Sequence, residues 1–160
     1  MPSFVLIVDT PSGCVIRGQD LAPKELSMVC KYFIIQELVS PAVFLRFGQN
    51  AWRFFDPRFL SVSDRLRAFF GPMIINNWAS GGPFRFRGLR SPIDLEAPKG
   101  DFSFHRFAMA GDAHFLKATV QEVRAYILAN PDKFPEIKGL EKDVNWLHYD
   151  VRNSDRLILF

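Results

Sequence analysis

The sequence predicts an α+β fold: a mostly antiparallel sheet with flanking helices and a small N-terminal β extension. Short apolar runs rich in β-branched and aromatic residues are bounded by turn signals, as strands are. Two longer segments show helical spacing instead. The elements do not alternate strand and helix regularly, which argues against a parallel βαβ sheet. A chain of 160 residues is long enough for a sizeable core, and 48% hydrophobic content with 17 Phe excludes a disordered chain.

In chain order, residues 4–8 and 14–17 read as two short strands around the turn Asp9–Gly13. Residues 23–39 mix helix formers with apolar residues, and Phe33–Val39 reads as a short helical segment stopped before Pro41. Residues 1–40 are thus expected as an extension, hairpin plus short helix, packed on a main domain of residues 41–160. Residues 44–59 interleave Phe44, Phe47, Trp52, Phe54, Phe55 and Phe59 with Arg46, Arg53 and Arg58. Such a stretch is either core with arginines at its rim or a stacking platform for single-stranded nucleic acid. The first reading is adopted, and no nucleic-acid partner is expected.

Leu60–Phe70 is a helix by the spacing of Leu66, Phe69 and Phe70, with Ser61 or Ser63 as cap and Gly71-Pro72 as stop. Met73–Trp78 reads as a buried strand, and Gly81–Pro83 as a turn. Phe84–Arg87 alternates like a strand or extended edge, and Ser91–Gly100 reads as a surface loop. Ala110–Phe115 is a short strand. Lys117–Asn130 is a helix whose apolar stripe is Leu116, Val120, Val123, Tyr126 and Ile127. After a charged connection over 131–144, Trp146–Val151 and Arg156–Phe160 read as final strands joined by a hairpin turn at Asn153–Asp155.

Two stretches carry chemistry. Ser103–Asp112 supplies His105 and Asp112, and Trp146–Arg152 supplies His148. Two imidazoles and one carboxylate can hold a catalytic zinc, leaving the fourth tetrahedral position for water, whose pKa the metal lowers towards neutrality. Side chains alternate along strands, so Asp112 shares a face with His114, and His148 with Trp146 and Asp150. If the two strands are neighbours, Asp112 and His148 converge across the ladder while His105 reaches in from the preceding loop. Asp150 either orients His148 from behind or bonds Arg152 or Arg156. His114 is a substrate-side group, a spare ligand or a plain strand histidine.

In order and spacing, Ser103, His105, Ala110, Asp112, Trp146 and His148 match Ser-x-His-x-x-Gly-x-Ala-x-Asp followed by Trp-x-His. This pattern resembles the signature of the zinc D-Ala-D-Ala carboxypeptidases and L-alanyl-D-glutamate endopeptidases of the Hedgehog/DD-peptidase fold, in the manner of phage-encoded members. The resemblance covers roughly residues 60–160 and makes 41–160 a zinc peptidase-like domain. Phe86–Pro92 is similar to the family's Ser-Gly-Tyr-Arg-Ser segment, with Arg90 at the place of its substrate-binding arginine. The resemblance implies Zn2+ on His105, Asp112 and His148, with Arg90, Ser103 and His114 towards substrate and Trp146 and Asp150 behind the ligands. It implies a peptidoglycan stem peptide as substrate. There are two departures. Ala108 stands where the family has glycine, a mild change unless the position needs positive φ. Asn145 stands where many members keep a carboxylate as general base; Asp143, at a position some members use, is the expected base instead.

The expected function is therefore a zinc metallopeptidase that degrades the bacterial cell wall, as a bacteriophage endolysin or virion-associated lysin does. The alternative is a non-catalytic virion binding module that keeps the fold. No apolar run approaches a membrane span, and the N-terminus lacks the layout of a signal peptide. The protein is thus expected to be made in the host cytoplasm and to reach the wall after release or within the virion. Cys14 and Cys30 fit neither a CxxC site nor a disulfide framework. A net charge of +3 favours anionic partners without choosing among them.

Overall fold

A computed structural model describes residues 30–98, 100 and 102–160; the strands expected at 4–8 and 14–17 lie outside the described residues. The fold is α+β, built on a five-stranded mixed sheet. The strands are β1 (Met73–Ile74), β2 (Ala110–Phe115), β3 (Gly139–Leu140), β4 (Leu147–Asp150) and β5 (Ile158–Leu159), in the spatial order β1-β2-β4-β3-β5. Three of its pairings are antiparallel, and β3 with β5 is parallel. Among the described residues three α-helices accompany the sheet: α1 (Pro41–Phe47), α2 (Pro57–Phe70) and α3 (Val120–Ala129).

Strand alternation divides the sheet into two faces. One face carries Met73, Ala113, Phe115, Leu140, Leu147 and Tyr149, all buried. Against it lies α2, whose Phe59 stacks on Tyr149 at 5.5 Å between ring centroids. Gly111 makes this approach possible, because a Cβ there would come within 3.1 Å of the Phe59 ring. The Tyr149 and Ser63 hydroxyls hydrogen-bond to each other at 2.6 Å, so the buried phenol is satisfied. The opposite face presents Asp112, His114, His148 and Asp150.

Several expectations are corrected at the element ends. Helix α2 starts at Pro57, three residues earlier than its apolar spacing suggests. Its cap is Asp56, which accepts from the Arg58 N–H at 2.8 Å, rather than Ser61 or Ser63. Helix α3 starts at Val120 behind a Thr119–Glu122 capping box, and Leu116, assigned to its stripe, is exposed. The strand expected over Met73–Trp78 is only two residues long. Phe84–Arg87 is not a strand: the Asn76 and Asn77 side chains take the Arg87 and Phe84 N–H groups. The final hairpin is replaced by a crossover, with β5 pairing in parallel to β3 instead of beside β4. In 44–59, Trp52, Phe55 and Phe59 are core, as expected. Among the described residues no helix is long and apolar enough to cross a membrane.

Candidate metal centre

Strands β2 and β4 pair in the register Asp112 opposite His148, which brings the two side chains together on one face. His105 reaches them from the 3-10 turn Phe104–Phe107 that precedes β2. Its ring is fixed from behind. Nδ1 donates to the Gly88 carbonyl at 2.9 Å, and an oxygen there can only accept. The neutral ring therefore turns the lone pair of Nε2 inward. Burial pushes the His105 pKa down, against the pull of Asp112, and keeps the ring neutral.

Three donor atoms converge. His105 Nε2 lies 3.3 Å from Asp112 Oδ1 and 3.3 Å from His148 Nδ1, and His148 Nδ1 lies 2.8 Å from Asp112 Oδ1. The three residues are buried, and their ligand atoms form a group that could hold a metal ion. Tetrahedral zinc with ligands about 2.0–2.1 Å away has edges of about 3.3 Å, so two of the three separations already match. Three acceptor atoms this close need a cation among them, either a proton on His148 or a metal ion. Burial alone would lower the His148 pKa, but hydrogen bonds to Asp112 and Asp150 outweigh it and raise it to about 9. At Asp112 the contacts with His105 and His148 outweigh burial and hold its carboxyl well below the usual range.

The surroundings hold these groups in place. Arg90 donates from Nη2 to Asp112 Oδ2 at 2.7 Å and from Nε to the Phe86 carbonyl at 2.6 Å. Oδ1 is left to the histidines. Asp150 lies 3.4 Å from His148 Nε2 and also pairs with Arg152, so it does both things expected of it; its pKa falls to about 2 despite burial. Its carboxylate sits directly over Gly139, where a Cβ would be 2.2 Å from Oδ2. Gly88 likewise cannot carry a side chain: its Cβ would lie 2.0 Å from the Leu38 carbonyl oxygen.

The remaining expected residues fall into two groups. Trp146 borders the site: with Asp112 and Arg90 it lines a cavity of about 300 Å³. His114 stacks on Phe84 at 5.6 Å, and burial with the nearby Arg87 lowers its pKa. Ser103 is half-buried at the start of the turn that carries His105. Asp143 is exposed in a bend with φ 59°, and its side chain makes no hydrogen bond or ion pair with a described residue. Asn145 is exposed as well.

Sequence reasoning missed Glu141. The Glu141 N–H meets the His148 carbonyl at 3.4 Å, continuing the β3–β4 register in which Leu140 faces Tyr149. Glu141 thus lies opposite His148, on the face that carries Asp112. Its charge raises the pKa of Arg90, against the larger effect of burial. No local signal marks this position; only the pairing of β3 brings it to the site. Comparison with protein-family models, curated proteins and solved structures finds no match to the chain.

Proposed function

We propose that the chain is a zinc-dependent peptidase acting on peptidoglycan stem peptides, with a Hedgehog/DD-peptidase-like fold. The observation that carries the reading is the buried convergence of His105 Nε2, Asp112 Oδ1 and His148 Nδ1, two of whose three separations match those of tetrahedral zinc ligands. The substrate class rests on the Ser103–Asp112 and Trp146–His148 patterns and their resemblance to cell-wall peptidases.

His105, Asp112 and His148 would hold the ion. When bound, zinc supplies Lewis acidity towards a scissile carbonyl and makes water acidic enough to react near neutral pH. Arg90 fixes the Asp112 carboxylate, so that one oxygen faces the histidines. Asp150 holds the His148 ring through Nε2. A peptidase also needs a proton acceptor that later returns the proton to the leaving amine. Glu141, on the face shared by His148 and Asp112, suits this role better than the outlying Asp143.

A non-catalytic virion module is the second reading, favoured by the exposure of Asp143 and Asn145. The two are separated by incubating the zinc-loaded protein with purified peptidoglycan and identifying released fragments by mass. Stem-peptide cleavage that stops on chelation is the expected result. Intact peptidoglycan at full zinc loading would favour the binding module.

A further inference from the structure

Asp150 is fully buried beside the candidate metal centre, where a carboxylate is stable only if it is paired and hydrogen-bonded. Arg152, two residues further along the chain, does both. Its Nη2 donates to Oδ2 at 2.5 Å, its Nε to Oδ1 at 2.7 Å and its backbone N–H to Oδ1 at 3.2 Å. Oδ2 also meets His148, whose Nε2 lies 3.4 Å away. With the Nε2 proton held by Asp150, Nδ1 is the nitrogen left to face Asp112 and His105.

Arg152 is fixed in turn. Its guanidinium carbon lies 4.5 Å from the Phe104 ring centroid and 4.7 Å from that of Phe160. The two rings come from separate elements. Phe104 opens the turn that carries His105. Phe160 follows β5: its N–H donates to the Leu140 carbonyl at 3.1 Å, and its carbonyl accepts from the Lys142 N–H at 2.7 Å. That register sets Phe160 beside Glu141, and its ring meets the His148 ring at a steep angle, 5.7 Å between centroids. Arg152 thus joins the elements that carry both histidines.

We infer that Arg152 is a positioning residue of the metal centre: through Asp150 it sets the His148 ring, and through Phe104 and Phe160 it ties that ring to the turn of His105. This rests on the metal reading of His105, Asp112 and His148, but not on a peptidase reaction. The place requires a planar fork, because an ammonium supplies the charge without two parallel donors or a flat face for the rings.

The test measures zinc affinity of the full chain by competition with a chelating indicator, beside thermal melts. Arg152→Lys should weaken zinc binding about tenfold or more. Phe160→Leu, which keeps the ion pair and removes one ring, should weaken it about two- to fivefold. Arg65→Lys is the control: it breaks a two-bond pair with Glu136 away from the centre and should leave zinc affinity within about twofold. Unchanged zinc affinity in Arg152→Lys, or an equal loss in Arg65→Lys, would overturn the inference. Should Arg152→Lys not fold, unchanged affinity in Phe160→Leu, altered at a half-exposed edge, would overturn it as well. A second readout is taken without metal: the His148 Nε2 proton should be visible by NMR in wild type and exchange away in Arg152→Lys. Its persistence in the variant would overturn the inference whether or not zinc binds. No zinc in wild type, with that proton lost in Arg152→Lys, would remove the metal reading and leave Arg152 as the residue that sets the His148 ring.

Discussion

Ala108 holds a left-handed backbone, φ 54° and ψ 35°, at full burial between the turn that carries His105 and the strand that carries Asp112. The position where the resembling family has glycine therefore does hold positive φ, so alanine carries backbone strain there. An L-residue costs about 1–2 kcal/mol there. Changing it to glycine relieves that strain but adds unfolded-chain entropy of about 0.4–1 kcal/mol and removes a buried methyl worth about 0.8 kcal/mol. These nearly cancel. Ala108→Gly should thus be within about 0.5 kcal/mol of wild type in denaturant melts, whereas Ala108→Val, β-branched at positive φ, should lose about 2 kcal/mol or more. A well-tolerated valine would show that the left-handed turn is not required. Arg90 gives a second expectation at this scale. Lysine in its place keeps the charge but cannot reach Asp112 and the Phe86 carbonyl together. Arg90→Lys should therefore weaken zinc binding about 10–100-fold. A purely substrate-binding arginine would change KM and leave zinc affinity alone.

Among the elements, β2 was legible to the residue: Ala110–Phe115 alternates, and the structure has a strand over that range. The two longer helices were legible in their bodies, and their starts were misplaced because Asp56-Pro57 and Thr119 act as caps before the apolar spacing begins. The two-residue strand β3 leaves no periodic signal, since it exists only through pairing with distant partners, whereas β5 falls within the strand expected over Arg156–Phe160 and only its partner is different. The convergence of His105, Asp112 and His148 could be read because histidine is rare here, with only three in the chain. Glu141 could not, because its place opposite His148 depends on β3. The segment 84–90 alternates like a strand for another reason: it is a strap between the Leu38 carbonyl, the Asn76 and Asn77 side chains and β2. Gly88 is its tightest point. Gly88→Ala would drive a methyl into the Leu38 carbonyl and shift the oxygen that orients His105. It should cost about 3 kcal/mol in stability and lower zinc affinity together. Loss of stability with unchanged zinc affinity would show that the Gly88 carbonyl does not set the His105 ring.

At the scale of the described residues, one face of the sheet packs on α2 and the other carries the candidate metal centre, which the 84–90 strap and the 103–108 turn border. Catalysis on this plan assigns the proton to Glu141. Glu141→Gln should lose about 10²–10⁴-fold in peptidoglycan cleavage while keeping its metal, and Asp143→Asn should be near wild type. The reverse order would return the role to Asp143. All of this presupposes an ion on His105, Asp112 and His148, and metal analysis after zinc loading and desalting tests it most directly. Wild type should retain about one zinc per chain and His148→Ala should retain almost none, because two remaining ligands bind far more weakly than three. Equal zinc in both proteins, or none in wild type, would contradict the account.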